Sequence, residues 1–274
     1  MNIDRNTVSV ITGAGSGIGR ATALRLAKAG SALAISDVNA KGLEETAQAA
    51  AAFGVKVVPI VLDVADKEAM QMFASEVTQQ FGRVSILLNN AGVALLGKAD
   101  ELSLEDYEWL IGINFWGVVY GTKLFLPLLK QQPEAYILNI SSIFGIIAPT
   151  GQSAYVASKF AVRGFTESLR HELQGTNVRV ATIHPGGIKT NIAASAKVGA
   201  GANATEHKDA ASRFDEVART TPEKAAETIV QGILRNKKRI LIGADARALA
   251  LLQRLLPVNY WKVMGPLFEK QIGS

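Results

Sequence analysis

The sequence predicts an α/β fold in which a parallel sheet is doubly wound, with helices on both faces. Three observations predict it. Short apolar, β-rich runs alternate with helical patterns along most of the chain, as crossover-connected parallel strands require. A glycine-rich turn joins the first such run to the first helix, which is where open α/β folds place a phosphate. Apolar residues make up 48% of 274 residues, enough for a large core.

The first strand is read over residues 7–12 and enters a turn whose glycines, Gly13, Gly17 and Gly19, have the spacing G-x-x-x-G-x-G. Glycines let the backbone approach a pyrophosphate, and the helix starting near Arg20 offers free N–H groups to it. The second strand, 32–36, ends in Asp37. An acidic residue about twenty positions past such a turn can hold the adenosine ribose hydroxyls, and it repels the extra phosphate of NADP. Neither Ser16 nor Val38 is basic, so NAD is expected, with NADP as the alternative. The competing reading makes Asp37 a cap of the next helix.

A helix over 39–53 leads to a third strand, 56–62, closed by Asp63 and Val64, and Asp66 then caps a helix to Phe81. A fourth strand, 84–88, runs into Asn89, Asn90, Ala91 and Gly92, small enough for a flat cofactor to pass close to the backbone. Ser103 opens a helix with an acidic first turn, and its pattern continues through Asn114 to Lys130. Gly112, Gly117 and Gly121 interrupt it and predict a kink or close packing. Asn114 in that apolar run is either structural glue or part of a polar relay.

The fifth strand, 136–140, precedes Ser142, whose hydroxyl would sit at the carboxyl end of the sheet. Tyr155 and Lys159 lie one turn apart at the start of a helix over about 152–173 and share a face. An ammonium beside a phenol favours the phenolate, so this pair can move a proton at an alcohol oxygen. The bland reading is an ordinary helix pair with a solvated lysine. The sixth strand, 178–183, ends in His184, Pro185 and Gly186, and Ile240 to Ile242 make a seventh.

Composition narrows the function. There is no cysteine, which excludes disulfides and thiolate metal sites. The three histidines, His171, His184 and His207, are scattered, so no metal site is expected. The net charge of +5 suits an anionic ligand, and no zinc-finger or aromatic-basic pattern points to nucleic acid. No signal-like start and no uninterrupted membrane-spanning apolar run are read, and a cytoplasmic location is expected.

Taken together, the glycine turn from Thr12 to Gly19, Asp63, Asn89 to Gly92, Asn114, Ser142, Tyr155 with Lys159, and Pro185 through Thr190 make the chain resemble the NAD(P)-dependent short-chain dehydrogenase/reductase family. The resemblance implies a single Rossmann-type domain over 1–274 with a seven-stranded sheet. It implies that Tyr155 is the acid/base and that Lys159 lowers its pKa and holds the nicotinamide ribose. Ser142 orients the substrate oxygen, Ser141 is structural, and Asn114 holds a water linking Lys159 to solvent. Gly13, Ser16, Gly17, Ile18 and Gly19 line the pyrophosphate and ribose. Asp37 binds the adenosine ribose, Asp63 and Val64 the adenine, and Asn90 with Ala91 and Gly92 the adjacent ribose region. Pro185, Gly186, Ile188 and Thr190 hold the nicotinamide carboxamide. A homodimer or homotetramer through the helices bearing Asn114 and Tyr155 is also implied.

The expected reaction is NAD-dependent hydride transfer with a small-molecule alcohol or carbonyl substrate. The alternatives are an NADPH-dependent carbonyl reductase and a non-catalytic NAD-binding sensor or scaffold. Residues 191–221, rich in Ala and small polar residues, are read as a substrate lid. Ile143, Phe144, Ile146, Ile147 and Ala148 are read as an apolar pocket wall, favouring a hydrophobic substrate. The apolar and basic tail, 245–274, is expected to pack on the body or a partner subunit ahead of any membrane contact.

Overall fold

The computed structural model describes residues 1–199, 201 and 218–272, with side chains to residue 266. Most of the lid segment 191–221, together with Phe268 and residues 273–274 of the tail, therefore lies outside what can be described in side-chain detail. Strands β1 (Val8–Thr12), β2 (Ala32–Asp37), β3 (Val57–Val61), β4 (Ile86–Asn89), β6 (Ala135–Ile140), β7 (Val178–Pro185) and β9 (Arg239–Ile242) form one seven-stranded sheet. Its order is β3-β2-β1-β4-β6-β7-β9, and every pairing is parallel. A separate two-stranded pair joins β5 (Leu95–Leu96) to β8 (Lys197–Val198).

The helices are α1 (Gly17–Lys28), α2 (Ala40–Ala51), α3 (Lys67–Phe81), α4 (Leu104–Ile111), α5 (Gly117–Lys130), α6 (Ser153–Glu172), α7 (Pro222–Leu234), α8 (Ala244–Leu255) and α9 (Tyr260–Ile272). Because strand side chains alternate, each central strand feeds two cores. Ile11, Leu33, Ile35, Ile86 and Leu88 pack on one side with Leu26, Leu43 and Ile229. Val10, Ala34 and Leu87 pack on the other with Phe73, Phe125 and Leu169. That two-sided burial is why the strands read as continuous apolar runs. Pro59, which cannot donate to a ladder, lies in β3 at the end of the sheet order.

One helical span differs from its sequence reading. The 27 residues from Leu104 to Lys130 join as α4, a π-helical turn (Gly112–Trp116) and α5. By length and mean hydropathy this joined span could cross a bilayer, which a search for uninterrupted apolar runs passes over. It lies against the sheet instead, with Val118, Phe125 and Leu129 buried. Its glycines have different uses. A β-carbon on Gly117 would come within 2.7 Å of Val64, and one on Gly121 would strike Asn89 Oδ1. Gly112 faces only an ordinary contact with Ala65. The irregularity is a widened turn that carries Asn114, a device common at functional sites.

The tail packs on the body. Ile143, Ile146 and Ile147 are buried against Ala246 and Met264, with Tyr260 and Trp261 at the margin of the same cluster. Leu251, Leu255, Val258 and Val263 stay exposed.

Candidate active site

The sheet order reverses beside β1, whose neighbours are β2 and β4, and the crevice beyond the carboxyl ends of such strands is where ligands bind. The loop from Gly13 to Ser16 fills that position. Its glycines are enforced by sterics. Gly13 has φ +66°, and a β-carbon there would lie 2.7 Å from Ala91 Cα. One on Gly19 would collide with Gly13 O. Ser16 caps α1 with no side-chain hydrogen bond, and the first turn of α1 holds no acidic residue. The leading N–H groups of the helix are thus left for an anion.

Asp37 braces this loop. Its carboxylate accepts from Gly15 N–H at 2.7 Å and from Asn39 N–H at 2.9 Å. It does not cap α2, since that task falls to Asn39, which accepts from Gly42 N–H. Asp37 therefore places a carboxylate at the end of β2, beside the glycine loop. Asp63 is exposed and accepts from Ala65 N–H, while Val64 is buried against Gly117.

The Asn89-to-Gly92 segment also ties the strands and the glycine loop together. Asn89 points into the core, donating to Asn139 at 2.8 Å and to Thr122 at 3.2 Å. Asn90 donates through its amide to Thr12 O and Gly13 O, both at 2.9 Å, and so holds the glycine loop in shape. Thr12 Oγ1 accepts from the N–H groups of Asn90 and Ala91 at 3.1 Å. The close approach here is backbone on backbone, Ala91 against Gly13.

Asn114, Ser142 and the α6 pair Tyr155 and Lys159 converge from three segments. Asn114 is fully buried and committed to protein partners. It accepts from Val93 N–H at 2.8 Å and donates to Val93 O at 3.0 Å and Ser158 Oγ at 3.1 Å. A β-carbon on Gly92 would lie 3.1 Å from Asn114 Oδ1 and 3.3 Å from Lys159 Nζ, so a glycine here lets the chain pass close to both. Lys159 Nζ donates to Ile140 O at 3.3 Å. Ser142 caps a 3-10 turn (Ile143–Gly145) and accepts from Phe144 N–H at 3.1 Å. Ser141 donates to Lys159 O at 2.8 Å and holds α6 on the sheet.

Burial dominates the electrostatics. It pushes the Tyr155 phenol up to about 12, with the Ser142 hydroxyl pulling partly the other way. It brings the Lys159 ammonium down to about 8. Desolvation disfavours both charged forms together in the protein alone. Burial likewise carries His184 down to about 4. The neutral ring donates from Nδ1 to Ser142 O at 2.9 Å, which leaves its buried Nε2 without a partner.

The apolar wall is also redrawn. Ile143, Ile146 and Ile147 are spent on packing the tail. Around Tyr155 the apolar neighbours are Phe144, Val93, Ala94, Leu102 and Trp109. Phe144 meets the Tyr155 ring edge-on, with centroids 6.3 Å apart. The described start of the lid segment docks here too. β8 pairs with β5, and Lys197 bonds Asp106 at 2.7 Å and lies over the Trp109 ring.

Pro185 at the end of β7 and Ile188 beyond it are buried, and Gly186 and Thr190 are part-exposed. Thr190 Cγ2 lies 3.1 Å from where a β-carbon on Gly17 would be, so this segment closes onto the glycine loop. Thr12, Arg20 and Asp245 are the residues that sequence reasoning missed. Arg20 donates to Gly15 O at 2.7 Å and Gly42 O at 2.9 Å, tying the glycine loop to α2. Nothing local in the sequence announces these long-range contacts.

The residues present fit a dinucleotide. A cradle of glycines that no side chain could occupy leads to an uncapped helix start, and a carboxylate stands at the end of β2. The family model for short chain dehydrogenases matches residues 7–200. The chain belongs to the short-chain dehydrogenase/reductase family, and its activity is that of an oxidoreductase of that family. It is 46% identical over 260 residues to "Putative oxidoreductase SadH" of Mycobacterium tuberculosis, covering 94% of this chain and 93% of that one. Among solved structures, a short chain dehydrogenase/reductase from Burkholderia phymatum in complex with NAD superposes with a TM-score of 0.86. It shares 31% identity and covers 93% of this chain and 95% of its own. An alcohol dehydrogenase from Thermococcus sibiricus complexed with 5-hydroxy-NADP superposes at 0.73, with 28% identity over 86% of this chain and 95% of its own.

Proposed function

We propose that this protein is an NAD-dependent dehydrogenase that interconverts a hydrophobic secondary alcohol and its ketone, or an aldehyde. The observation that carries the reading is the buried set of Tyr155, Ser142, Lys159 and Asn114 beside the glycine loop. A bound nicotinamide dinucleotide supplies the hydride acceptor or donor. Gly13, Ser16, Gly17, Ile18 and Gly19 hold its pyrophosphate. Asp37 holds the adenosine ribose, Asp63 and Val64 border the adenine, and Asn90, Ala91 and Gly92 flank the next ribose. Pro185, Gly186, Ile188 and Thr190 hold the nicotinamide end.

Tyr155 exchanges the proton at the substrate oxygen. In reduction its phenol donates directly, since burial keeps it protonated at neutral pH. In oxidation the phenolate must form, and Lys159 on the same helix face is the cation that favours it. Ser142 orients the substrate oxygen. Asn114 fixes Val93 and Ser158 and would hold a water that links Lys159 to solvent. Phe144, Val93, Ala94 and Leu102 around Tyr155 favour an apolar substituent on the substrate.

Asp37 supports NAD over NADP, because its carboxylate repels a phosphate on the ribose 2′ position. The NAD complex of the Burkholderia phymatum relative agrees with that preference. Exposed Trp116 on the π turn and exposed Phe160 on α6 support self-association through these helices. The test is fluorescence titration with NADH and NADPH, followed by turnover of secondary alcohols with NAD. Tighter binding of NADH with alcohol-dependent NAD reduction is expected. Tighter NADPH binding would assign a carbonyl reductase, and binding without turnover of any alcohol or carbonyl would assign a sensor.

A further inference from the structure

We infer that Asp245, the second residue of α8, is a positioning residue for the nicotinamide end of the cofactor site. The inference rests on reading the turn after β7 as the part that holds the nicotinamide. Asp245 lies 58 residues beyond that turn in sequence, yet its carboxylate accepts from Gly187 N–H at 2.6 Å. The glycines around it are shaped to admit it. A β-carbon on Gly186 or Gly243 would strike the carboxylate, and one on Gly187 would lie 3.6 Å from Asp245 Oδ2. Gly243, with φ +101°, is the backbone swivel that starts α8 and delivers Asp245.

The same turn is held from a second side. Thr220 N–H donates to Gly187 O at 3.3 Å, and Lys189 N–H donates to Thr220 O at 2.9 Å. The isolated bridge between Ile188 and Thr220 records that pairing. Gly186 N–H donates to Ile242 O at 2.9 Å, so the turn also hangs from the end of β9. Gly187 is thus gripped through its N–H by α8 and through its carbonyl by Thr220 at the end of the lid segment. Ile188 and Thr190 follow it directly. Thr190 in turn abuts Gly17. A carboxylate accepting a backbone N–H is a strong, directional contact, and although this one is exposed, losing it removes the tie between the turn and α8 and leaves the turn held only by Thr220 and Ile242.

This contact acts on one end of the cofactor only. Asp37 and the glycine loop are braced by Arg20, Asn90 and Thr12, none of which touches Asp245. The adenosine end should therefore keep its affinity when Asp245 is lost.

The test compares NADH with ADP-ribose, which lacks the nicotinamide, on the full chain and on Asp245→Ala and Asp245→Asn. Asp245→Ala is expected to weaken NADH by about three- to tenfold, the equivalent of about 0.7 to 1.4 kcal/mol, and to leave ADP-ribose unchanged. Asp245→Asn, whose amide oxygen can still accept from Gly187 N–H, is expected to restore most of the NADH affinity. Equal weakening of both ligands would mean general destabilisation and would overturn the inference, as would unchanged NADH binding in Asp245→Ala. If the parent protein binds ADP-ribose but gains nothing from the nicotinamide of NADH, the reading of the turn itself fails and takes the inference with it.

Discussion

Lys159 Nζ stands 5.6 Å from the centre of the Tyr155 ring, and both side chains are buried, at 3% and 9% exposure. The helix repeat sets that spacing, and the sheet and the β5 segment bury it. Burial moves the phenol up to about 12 and the ammonium down to about 8, so both groups are shifted toward their uncharged forms, the phenol staying protonated at neutral pH and the lysine still largely an ammonium there. The pair is built to hold a proton until substrate and cofactor change its surroundings.

Removing that proton is the first prediction. Tyr155→Phe keeps the ring and its edge contact with Phe144 while deleting the hydroxyl. Turnover should fall by about a thousandfold, within the range for loss of a general acid/base, and NADH affinity should stay within about threefold. Turnover close to that of the parent would assign the proton to another group.

The pH dependence follows from the direction of the shift. Oxidation needs the phenolate, and a phenol raised to about 12 is almost wholly protonated at neutral pH. For oxidation, kcat/KM reports the free enzyme and should climb steadily from pH 6 to pH 8, while reduction stays nearly flat. An oxidation profile that levels off below pH 7 would show that Tyr155 titrates far lower than its burial implies.

Cofactor choice turns on Asp37. Asp37→Asn keeps an oxygen to accept from Gly15 N–H and removes the negative charge. The ratio of NADPH to NADH affinity should rise by about tenfold, the equivalent of 1.4 kcal/mol. No change in that ratio would remove Asp37 from the specificity determinant.

His184 gives a stability prediction. Its pKa is depressed from its ordinary value of 6.5 to about 4, so the unfolded chain binds the proton more readily between those values. The stabilisation from keeping the ring neutral is complete above pH 6.5 and is lost as pH falls toward 4. From pH 6.5 to 5 the loss is on the order of 2 kcal/mol. Urea unfolding of the parent and of His184→Asn at both pH values measures it. Equal pH dependence in the two proteins would show that His184 does not carry the effect.

Much of this was legible before any coordinates. The alternation of Val10 and Ile11, or of Leu33, Ala34 and Ile35, already encodes a sheet buried on both faces, because neighbouring strand residues must point opposite ways. The glycines at 13, 17 and 19 encode a turn that side chains cannot enter. Other features were not legible because their partners are remote. Asn90 reads as a small residue near a cofactor, and only the parallel pairing of β1 with β4 shows that its amide is spent on Thr12 and Gly13. Ile143, Ile146 and Ile147 read as a pocket wall, and only the return of α8 and α9 shows them covered.

The short β5 and β8 pair was not readable from the chain, whereas the order of the seven sheet strands and their helices, the glycine turn and the one-turn spacing of Tyr155 and Lys159 all were. Those are local properties, written in side-chain periodicity and in the steric freedom of single residues. The remainder came from the tertiary fold: the π turn that carries Asn114, the burial that shifts Tyr155 and Lys159 toward their uncharged forms, and the reach of Asp245 to Gly187. Burial and long-range hydrogen bonds depend on what the fold brings alongside, and no window of sequence contains both partners.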